Sequence, residues 1–582
     1  MARFGSDLIV DLLNRYEVPY VAMNPGATLR GIHDSIVQYA DNRPEIIECQ
    51  HEEIAVGIAH GYAKVTGRPM VAAVHNLVGL LHGAMAVYMS YTDRVPMLLL
   101  GASGPMAVGR RRPRVDWDHT ALVQGNAVRD YVKWDDQPFD AMGLLHSFSR
   151  AYRIACTEPK GPVYLCFDVA FQEDELETDP ALPDPNRGGV HTPLAADPEA
   201  LDAVCDYLLE ATRPVIVADH VGRNPEAVTI LVELAELFAA PVLDLNGRMN
   251  FPNTHPLFRM DRSVLHDADL VLFLDVRDQH GTLCEVDDDS RPTGCTVVDS
   301  DCHLVSIDLG ELEISSWSNS TQRFMEMDLA VLGDTLLALP QLVALCKERA
   351  GEAGAESSMA RRESRIAALS AEHREQRAAW MEEARAGGDA VPMSSARMVF
   401  EVGEVLKGRD WVLTANTVKG KDWARRLWDM DEPYRHPGKA LGTATQIGIS
   451  LGVALAYKGT GKLVVDLQPD GDLMYDAGAL WVAARHRLPM LVVMHNNRAY
   501  HNSWQHQTDM AAVRNRDGEG AEVGTIIDDP APDFAGLARS LGWYAEGPVS
   551  DPADLGGALE RAIAVIEEEG RPALVDAVTL PR

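Results

Sequence analysis

Short apolar runs alternate along the whole chain with segments whose apolar residues recur at helical spacing. Residues 1–185 contain the runs "PYVAM", "EIIEC", "PMVAAV", "PMLLLG" and "GPVYLCFDV". The alternation is repeated in residues 194–345 with "RPVIVAD", "APVLDLN", "ADLVLFLDV", "CTVVDSD" and "HLVSIDL", and in residues 391–582 with "DWVLTAN", "KLVVDL", "MLVVMHNN" and "PALVDAV". This pattern is typical of parallel sheets that helices cover on both faces. We therefore predict an α/β protein with three doubly wound parallel-sheet domains.

Two segments of different composition separate these blocks. Residues 178–193, "TDPALPDPNRGGVHTP", are rich in Pro and Gly and predict a linker. Residues 346–390 are charged and rich in Ala, which predicts a solvated helical connection. The expected domains are therefore 1–185, 194–345 and 391–582, with the helical linker 346–390 between the second and the third.

Composition and charge narrow the class of partner. The 582 residues carry a net charge of -33, which argues against nucleic acid because its phosphates would be repelled. The eight Cys are scattered without a C-x-x-C pair, so they predict neither a disulfide framework nor a zinc site. The most apolar stretch, residues 76–91, is short and interrupted by His82, which favours a buried helix over a membrane span. We expect a soluble, cytoplasmic protein without a signal peptide.

A strand–helix–strand unit in the third block brings two polar loops together. Asp470 follows the run "KLVVDLQP", and Asn497 closes the run "MLVVMHNN". Both strands of such a crossover end at the same edge of a parallel sheet, so the two side chains should lie close together. Carboxylate and amide oxygens suit Mg²⁺ that also binds phosphate. An Asp-Gly turn and an Asn loop without a metal would explain the same residues.

The stretch "PDGD…NNRAY" resembles the signature of thiamine diphosphate-dependent enzymes, a Gly-Asp-Gly followed some way along the chain by Asn-Asn. The resemblance implies that Asp470, Asn497 and the backbone carbonyl of Ala499 hold Mg²⁺ against the diphosphate. Pro469 replaces the first Gly of the signature. A Pro lacks the N–H that a central strand needs, but that loss is tolerable at the last strand residue. We predict that the metal site survives this change.

A second motif of the same family lies in the first block. "QHEEIAVGIAHGYAKVTG" resembles the helix that carries the activating glutamate in acetolactate synthase and benzoylformate decarboxylase. The matching residue is Glu52, whereas its neighbour Glu53 is interpreted as structural. A buried carboxyl with a raised pKa can share a proton with the pyrimidine of the cofactor. Without the resemblance, Glu52 would be interpreted as an acid at a helix N-terminus, where the helix dipole favours negative charge.

Features on the substrate side resemble benzoylformate decarboxylase. "MNPGAT" resembles its "NPGS" loop, with Ala27 in place of a substrate-contacting Ser. His75 follows Glu52 at the spacing of an active-site His of that enzyme, and His280 loosely matches a second one. Two histidines near a developing charge could relay protons. Either His could also be a hydrogen-bonded structural residue.

Several further residues are candidates because of where they lie relative to these motifs. "GTATQIGISLGVALA" aligns with a family helix preceded by a bulky residue that wedges the cofactor, and Thr443 occupies that position with a smaller side chain. The segment "NNRAYHNSWQHQ" resembles the mobile segment that covers the site in acetolactate synthases. The cofactor-binding candidates are Asn416, Thr417, Thr443, Gly471, Asp472 and Asn497; the substrate-side candidates are Ala27, Tyr500, His501 and Trp504.

The resemblance implies a thiamine diphosphate- and Mg²⁺-dependent decarboxylase or carboligase that acts on a 2-oxo acid through a C2 ylid and an enamine. An acetolactate synthase-like transferase and a lyase that cleaves a C–C bond of a 2-hydroxyacyl or diketone substrate remain alternatives. The family implies a homodimer as the minimum and a homotetramer as the expected assembly. The resemblance leaves open whether the middle domain binds FAD, and no residue of the sequence supports FAD binding.

Two readings from other classes remain. A non-catalytic nucleotide-binding member of the fold is disfavoured by the intact Glu52, Asp470 and Asn497. A nicotinamide dehydrogenase is disfavoured because no strand is followed by G-x-G-x-x-G.

Overall fold

The computed structural model describes residues 3–114, 116–286, 292–313, 322–352, 356–388, 390–415, 422–440 and 442–580. Within them lie three large sheets and one small antiparallel hairpin. The three large sheets follow one another along the chain, and every strand pair within them is parallel.

The first sheet has six strands in the order β2-β1-β3-β4-β6-β5. These are β1 Tyr20–Met23, β2 Glu45–Glu48, β3 Met70–Ala73, β4 Met97–Ser103, β5 Trp134–Asp136 and β6 Pro162–Asp168. The helices of this region are α1 Gly5–Arg15, α2 Arg30–Asp34, α3 Glu52–Thr66, α4 Asn76–His82, α5 Ala84–Thr92, α6 Asp116–His119, α7 Ala141–Cys156 and α8 Val169–Glu173. Strands β3 and β4 are buried along their whole length, as expected for a sheet with helices on both faces.

The second sheet has six strands in the order β14-β13-β10-β7-β8-β9. These are β7 Pro214–Ala218, β8 Val242–Asp244, β9 Phe258–Arg259, β10 Leu270–Leu274, β13 His303–Asp308 and β14 Leu329–Leu332, and the hairpin consists of β11 Cys284–Val286 and β12 Pro292–Thr296. The helices here are α9 Pro198–Glu210, α10 Pro225–Phe238, α11 Gln279–Leu283 and α12 Thr335–Glu352. Helix α13 Glu356–Ala386 then leads toward the third sheet and packs against helices α14 Ser395–Leu406 and α15 Trp423–Leu427.

The third sheet has five strands in the order β15-β16-β17-β19-β18. These are β15 Trp411–Leu413, β16 Leu463–Pro469, β17 Leu491–Asn496, β18 Tyr544–Val549 and β19 Ala573–Val578. Besides α14 and α15, its helices are α16 Thr445–Ala456, α17 Asp470–Leu473, α18 Ala479–Arg485, α19 His501–Val513, α20 Phe534–Ser540 and α21 Pro552–Glu569. The strand–helix–strand crossover predicted around Asp470 is therefore present, with β16 and β17 as neighbours.

Helices α3 and α16 join the first sheet region to the third. They run side by side in the same direction and meet through glycines. A Cβ on Gly57 would lie 2.9 Å from the Cα of Gly448, and a Cβ on Gly61 would lie 2.0 Å from the carbonyl oxygen of Ile449. One continuous apolar cluster extends from the first sheet through both helices into the third. This close packing brings the N-termini of α3 and α16 to the same place.

The predicted fold class is confirmed, but two predicted helices are interrupted. The stretch 76–91 forms α4 and α5, which are separated at Gly83. A Cβ at that position would come 3.1 Å from Val56 Cγ2 on α3, so the close approach of α3 accounts for the glycine. The helical pattern after Asp470 is likewise divided into α17 and α18, with turns at residues 474–478 between them.

Among the described residues, no helix combines the length and the apolar character that crossing a bilayer requires. All eight cysteines are free thiols, in agreement with the absence of a disulfide pattern in the sequence.

Candidate active site

The Glu52 carboxyl lies buried at the first turn of α3. The side chain of His51 caps this helix by accepting a hydrogen bond from the Glu53 N–H at 3.2 Å. Glu52 is 2% exposed, and its Oε2 lies 3.3 Å from Nδ1 of His82 at the end of α4. Its Oε1 sits against Gly79, where a Cβ would come within 2.6 Å. The Glu52 carboxyl is therefore held between Gly79 and the imidazole of His82, which both belong to helix α4.

His75 stands just after β3 and adjoins the loop that follows β1. The Oγ1 of Thr28 lies 2.8 Å from His75 Nδ1 and accepts a hydrogen bond from the Asn76 N–H at 3.3 Å. Because Thr28 uses an acceptor position for Asn76, its O–H can donate to Nδ1, which favours the tautomer with the proton on Nε2. Burial lowers the pKa of His75, and the neighbouring His119 lowers it further, which favours the neutral ring. Gly26 allows this close approach, since a Cβ there would lie 2.6 Å from the His75 ring.

Asp470 begins the short helix α17 at the end of β16. Pro469 is the last residue of that strand and pairs in register with His495 of β17. The Asp470 carboxyl is 2% exposed, and its Oδ1 accepts a hydrogen bond from the Gly471 N–H at 2.7 Å. Burial raises the pKa of Asp470 to about 6, although the backbone N–H groups of Gly471 and of the loop after β17 oppose that shift. The Pro thus lies where its missing N–H leaves the strand pairing intact.

The loop after β17 carries Asn497 and Ala499, the other two candidate metal ligands beside Asp470. Asn497 is 8% exposed, and its Oδ1 accepts a hydrogen bond from the Ala499 N–H at 3.1 Å. Arg498 between them has a positive φ of 56°, which turns the chain sharply. Ala499 forms a single antiparallel bridge with Ile526, so residues near 526 hold the loop in place.

A strained loop precedes α16 on the same side. Gly442, Thr443 and Ala444 have φ values of 79°, 59° and 74°, a left-handed run that non-glycine residues rarely adopt. The Ala444 N–H donates a 2.8 Å hydrogen bond to Asp472 Oδ1, and Gln468 Nε2 donates a 3.1 Å bond to Asp472 Oδ2. Asp472, a cofactor-binding candidate from the sequence, therefore holds this loop with Oδ1 and contacts Gln468 of β16 with Oδ2. Thr443 itself is exposed to solvent.

A pocket of about 430 Å³ lies where the N-termini of α3 and α16 meet, and Glu53, Thr443 and Asp476 line it. The Glu53 carboxyl is 6% exposed, and its Oε1 has no hydrogen-bond partner among the described residues. Burial, together with repulsion from Asp476, raises the pKa of Glu53 to about 8. The two adjacent glutamates thus have different surroundings. Glu52 contacts His82 within the first domain, whereas Glu53 faces Asp476 of the third domain.

The structure brings some of the other candidates to this region. The ring of Tyr500 packs on Gly471, where a Cβ would come within 2.6 Å. His501 and Trp504 are stacked at 5.7 Å on the first turns of α19, none of whose residues is buried. Ala27 is exposed on the loop beside Thr28.

Three candidates lie elsewhere or cannot be placed. His280 lies on α11 beside the second sheet, in a different domain from Glu52 and His75. Asn416 and Thr417 lie outside the described residues.

Sequence reasoning missed His82, Thr28 and Gly79. A signal for two of them was present, because His75, Gly79 and His82 follow one another at helical spacing and share one face of α4.

The donor set at the edge of the third sheet fits a hard cation. Asp470 Oδ2 is buried and has no hydrogen-bond partner among the described residues. A buried carboxylate oxygen without a partner is costly, and a cation would satisfy it. Carboxylate, amide and backbone carbonyl oxygens from Asp470, Asn497 and Ala499 match the ligands that Mg²⁺ uses next to phosphate groups.

Three family models match the chain in sequence order. The "Thiamine pyrophosphate enzyme, N-terminal TPP binding domain" matches residues 3–117, the "central domain" residues 201–342, and the "C-terminal TPP binding domain" residues 420–577. Each match falls on a different one of the three sheets.

Curated relatives and solved structures resemble the chain over most of its length. It is 25% identical to the Oryza sativa subsp. japonica protein named "Probable acetolactate synthase 2, chloroplastic" over 93% of this chain and 78% of that protein. It is 24% identical to a Pseudomonas aeruginosa benzoylformate decarboxylase over 98% and 97%. Benzoylformate decarboxylase of Polynucleobacter necessarius superposes with a TM-score of 0.76 at 16% identity, covering 100% of this chain and 99% of the other. A 4-hydroxybenzoylformate decarboxylase of Rhodococcus jostii gives 0.75 at 19% identity, covering 99% of each chain.

Proposed function

The chain belongs to the thiamine pyrophosphate enzyme family, and on that premise we propose that it is an Mg²⁺-dependent decarboxylase or carboligase of 2-oxo acids. The observation that carries the proposal is the presence of two groups of buried polar side chains, one in the first domain and one in the third. One presents the buried Glu52 carboxyl beside His82 and His75, and the other presents the unpartnered Asp470 oxygen beside Asn497.

Glu52 is proposed to hold and exchange a proton with the pyrimidine of the cofactor. Its carboxyl is almost completely buried, so a hydrogen bond to a ligand would form in a medium of low dielectric constant and would be strong. When bound, thiamine pyrophosphate supplies a nucleophilic carbon and an electron sink for the group that leaves. Glu53 is not assigned this role, because it faces Asp476 across the neighbouring pocket.

His75 is proposed to be a proton donor on the substrate side. Its lowered pKa favours the neutral ring, and its contact with Thr28 favours a proton on Nε2. A neutral imidazole donor can stabilise negative charge that develops on a carbonyl or carboxylate oxygen without itself repelling a cation. His280 belongs to this proposal only through the family resemblance.

Asp470, Asn497 and the Ala499 carbonyl are proposed to bind Mg²⁺, which would in turn bind the diphosphate. Gly471, Asp472, Asn416, Thr417 and Thr443 are proposed to line the cofactor around that metal. Asp472 would contribute by fixing the loop 442–444 rather than by direct contact, because both of its oxygens accept hydrogen bonds from protein donors.

An acetolactate synthase-like transfer to a second carbonyl compound is the alternative that a specific feature favours. Helix α19 follows the proposed metal ligands directly and none of its residues is buried, so its exposed side chains would be available to a second substrate at the proposed site. Tyr500, His501 and Trp504 are its substrate-side candidates, with Ala27 on the opposite loop. Cleavage of a C–C bond in a 2-hydroxyacyl or diketone substrate is the third option.

The assembly is proposed to be a homodimer at the least, and a homotetramer in solution. Within one chain the Glu52 carboxyl contacts groups of the first domain, and Asp470 contacts groups of the third. Large apolar side chains are exposed close to both groups of buried polar side chains, namely Leu81, Met474 and Tyr475. A second copy of the chain would cover them, as expected for a symmetric dimer.

The test is turnover of a panel of 2-oxo acids. Purified protein is supplied with thiamine pyrophosphate and Mg²⁺, with and without an acceptor aldehyde or 2-oxo acid, and both CO₂ and carbon products are measured. Release of CO₂ with an aldehyde product supports a decarboxylase, and a hydroxyketone or acetohydroxy acid supports a carboligase or synthase. Loss of Mg²⁺ dependence of cofactor binding is expected for Asp470→Ala. No turnover of any 2-oxo acid, with the cofactor bound, would contradict the proposal.

A further inference from the structure

Glu52 is buried, yet a proton carrier must be able to exchange its proton with water. Its side chain is 3% exposed, whereas the side chain of His82, 3.3 Å away, is 51% exposed. His82 stacks on His51, with ring centroids 4.9 Å apart, and His51 lies 3.6 Å from a carboxylate oxygen of Asp476. Of the described groups in contact with the Glu52 carboxyl, His82 is therefore the titratable one that reaches solvent.

We propose that His82 is a positioning residue for Glu52 and the route by which that carboxyl exchanges protons with water. The inference rests on the proposed function of Glu52 and goes beyond it, because it assigns a role to a residue outside the candidate set derived from the sequence. Two contacts position the carboxyl: Gly79 leaves room for Oε1, and the imidazole of His82 holds Oε2.

The transfer balances without any other reactant. With Glu52 protonated, its O–H donates to Nδ1 of a neutral His82 that carries its proton on Nε2. The proton passes to Nδ1, and the resulting imidazolium releases the Nε2 proton to water. This leaves the Glu52 carboxylate accepting a hydrogen bond from Nδ1–H. The return step reverses this: water protonates Nε2, and Nδ1–H gives its proton to the carboxylate.

Other titratable groups surround His82, and they set the pH range of the exchange. On the α3 side these are Glu52, His51 and Glu53, with Asp476 beyond His51. The stacked His51 would oppose a positive charge on His82, whereas the Glu52 carboxylate would favour it.

Helix α4 also packs against α6, which carries Asp116, Asp118 and His119. Asp116 is paired with Arg112, whose guanidinium lies 3.0 Å away, so that acid is already compensated. Strand β4, helix α5 and the turn at residues 124–127, which also pack against α4, carry no Asp, Glu, His, Lys or Arg. The Glu52 carboxylate is thus the nearest described negative charge to His82.

A matched control exists in the second sheet region. His303 has a side chain that is 54% exposed and lies 3.4 Å from the Asp328 carboxylate, so its exposure and its separation from the acid match those of His82. The Asp328 side chain is 40% exposed, whereas that of Glu52 is 3% exposed. His303→Asn therefore repeats the chemical change of His82→Asn away from the site.

The first measurement uses the protein without cofactor. Acylation of histidines by diethylpyrocarbonate is followed over a range of pH by peptide mass spectrometry, in the wild type and in Glu52→Gln. Loss of the carboxylate removes the group that holds Nδ1, so acylation of His82 should speed up and that of His303 should stay unchanged. An unchanged rate of His82 acylation would overturn the inference, and this comparison decides even where a His82 variant does not fold.

The second measurement follows deuterium exchange at C2 of the bound cofactor in D₂O. His82→Asn should slow the exchange at least about tenfold with a changed pH profile, and added imidazole should restore it, whereas His303→Asn should match the wild type. If Glu52→Gln is inactive but His82→Asn keeps the rate of exchange and the pH profile of the wild type, the role of His82 is overturned and that of Glu52 is not. Full exchange in Glu52→Gln would instead overturn the proposed function of Glu52.

Discussion

Replacing Gly79 by Ala perturbs the Glu52 carboxyl without touching it chemically. A Cβ at position 79 would lie 2.6 Å from Glu52 Oε1 and 3.0 Å from its Cδ. Such atoms essentially never approach closer than 3.0 Å, and ordinary contacts begin at 3.4 Å, so the carboxyl must retreat by about 0.4 to 0.8 Å. Because His82 holds the other oxygen, such a shift breaks or lengthens that contact.

Two opposing terms set the change in stability. Ala is a better helix former than Gly inside α4 and should contribute about 0.5–1 kcal/mol. A hydrogen bond that involves a charged group contributes about 1.5–3 kcal/mol, and displacement of Glu52 loses part of it. The net loss should therefore be about 2 kcal/mol or less, so the protein stays folded. A misplacement of this size at a reacting group can reduce the rate by about 100-fold.

The assay compares Gly79→Ala with Gly556→Ala in helix α21. A Cβ at Gly556 would meet nothing within 4 Å, so that variant tests the helix term alone and should be as stable as the wild type or slightly more so. Thermal unfolding of both variants is measured without cofactor, and turnover of the accepted 2-oxo acid is measured with it. Gly79→Ala should keep its fold and lose about 100-fold in rate. A Gly79→Ala protein that is both stable and fully active would refute the placement of Glu52 against this glycine.

Three further outcomes follow from the same contacts. Burial and Asp476 raise the pKa of Glu53 to about 8, so the native protein keeps a proton that the unfolded chain releases above about pH 4. The wild type therefore loses stability as the pH rises between these values, whereas Glu53→Gln does not. The gain in Tm of Glu53→Gln over the wild type should widen from pH 5 to pH 8 and then level off. Asp472→Ala should remove the acceptor for the Ala444 N–H, and hydrogen exchange of the peptide around that residue should speed up, with no change expected if the loop holds itself. Gly61→Ala would place a Cβ 2.0 Å from a carbonyl oxygen of helix α16, so the urea midpoint should fall by the equivalent of about 1–3 kcal/mol; an unchanged midpoint would contradict the α3–α16 packing.

The crossover at the candidate metal site was predictable because it depends on short-range patterns. The sequence shows a buried apolar run that ends at Asp470, then a helical pattern, and then a second run that ends at Asn497. In a parallel sheet this order places the ends of both strands at the same edge. Pro469 could be interpreted for the same reason, since its tolerance depends only on its place at the end of β16.

The surroundings of these residues were not predictable, because they depend on contacts between distant segments. The sequence presented Asp472 as a cofactor-binding candidate, but the left-handed loop at 443–444 uses one of its oxygens as an acceptor and Gln468 uses the other. The different environments of Glu52 and Glu53 arise from the packing of α3 against α16 through facing glycines, which no local pattern reveals. For His82, the sequence could predict only that it lies two helical turns after His75, on the same side of the helix.

The most direct test of the central claim compares these two adjacent glutamates in the absence of any substrate. Deuterium exchange at C2 of bound thiamine pyrophosphate is measured with Mg²⁺ in the wild type, Glu52→Gln and Glu53→Gln, with the free cofactor as reference. If Glu52 is the activating carboxyl, the wild type and Glu53→Gln should exchange about 100-fold or more faster than Glu52→Gln. Equal rates in the wild type and Glu52→Gln, or a loss confined to Glu53→Gln, would contradict the account.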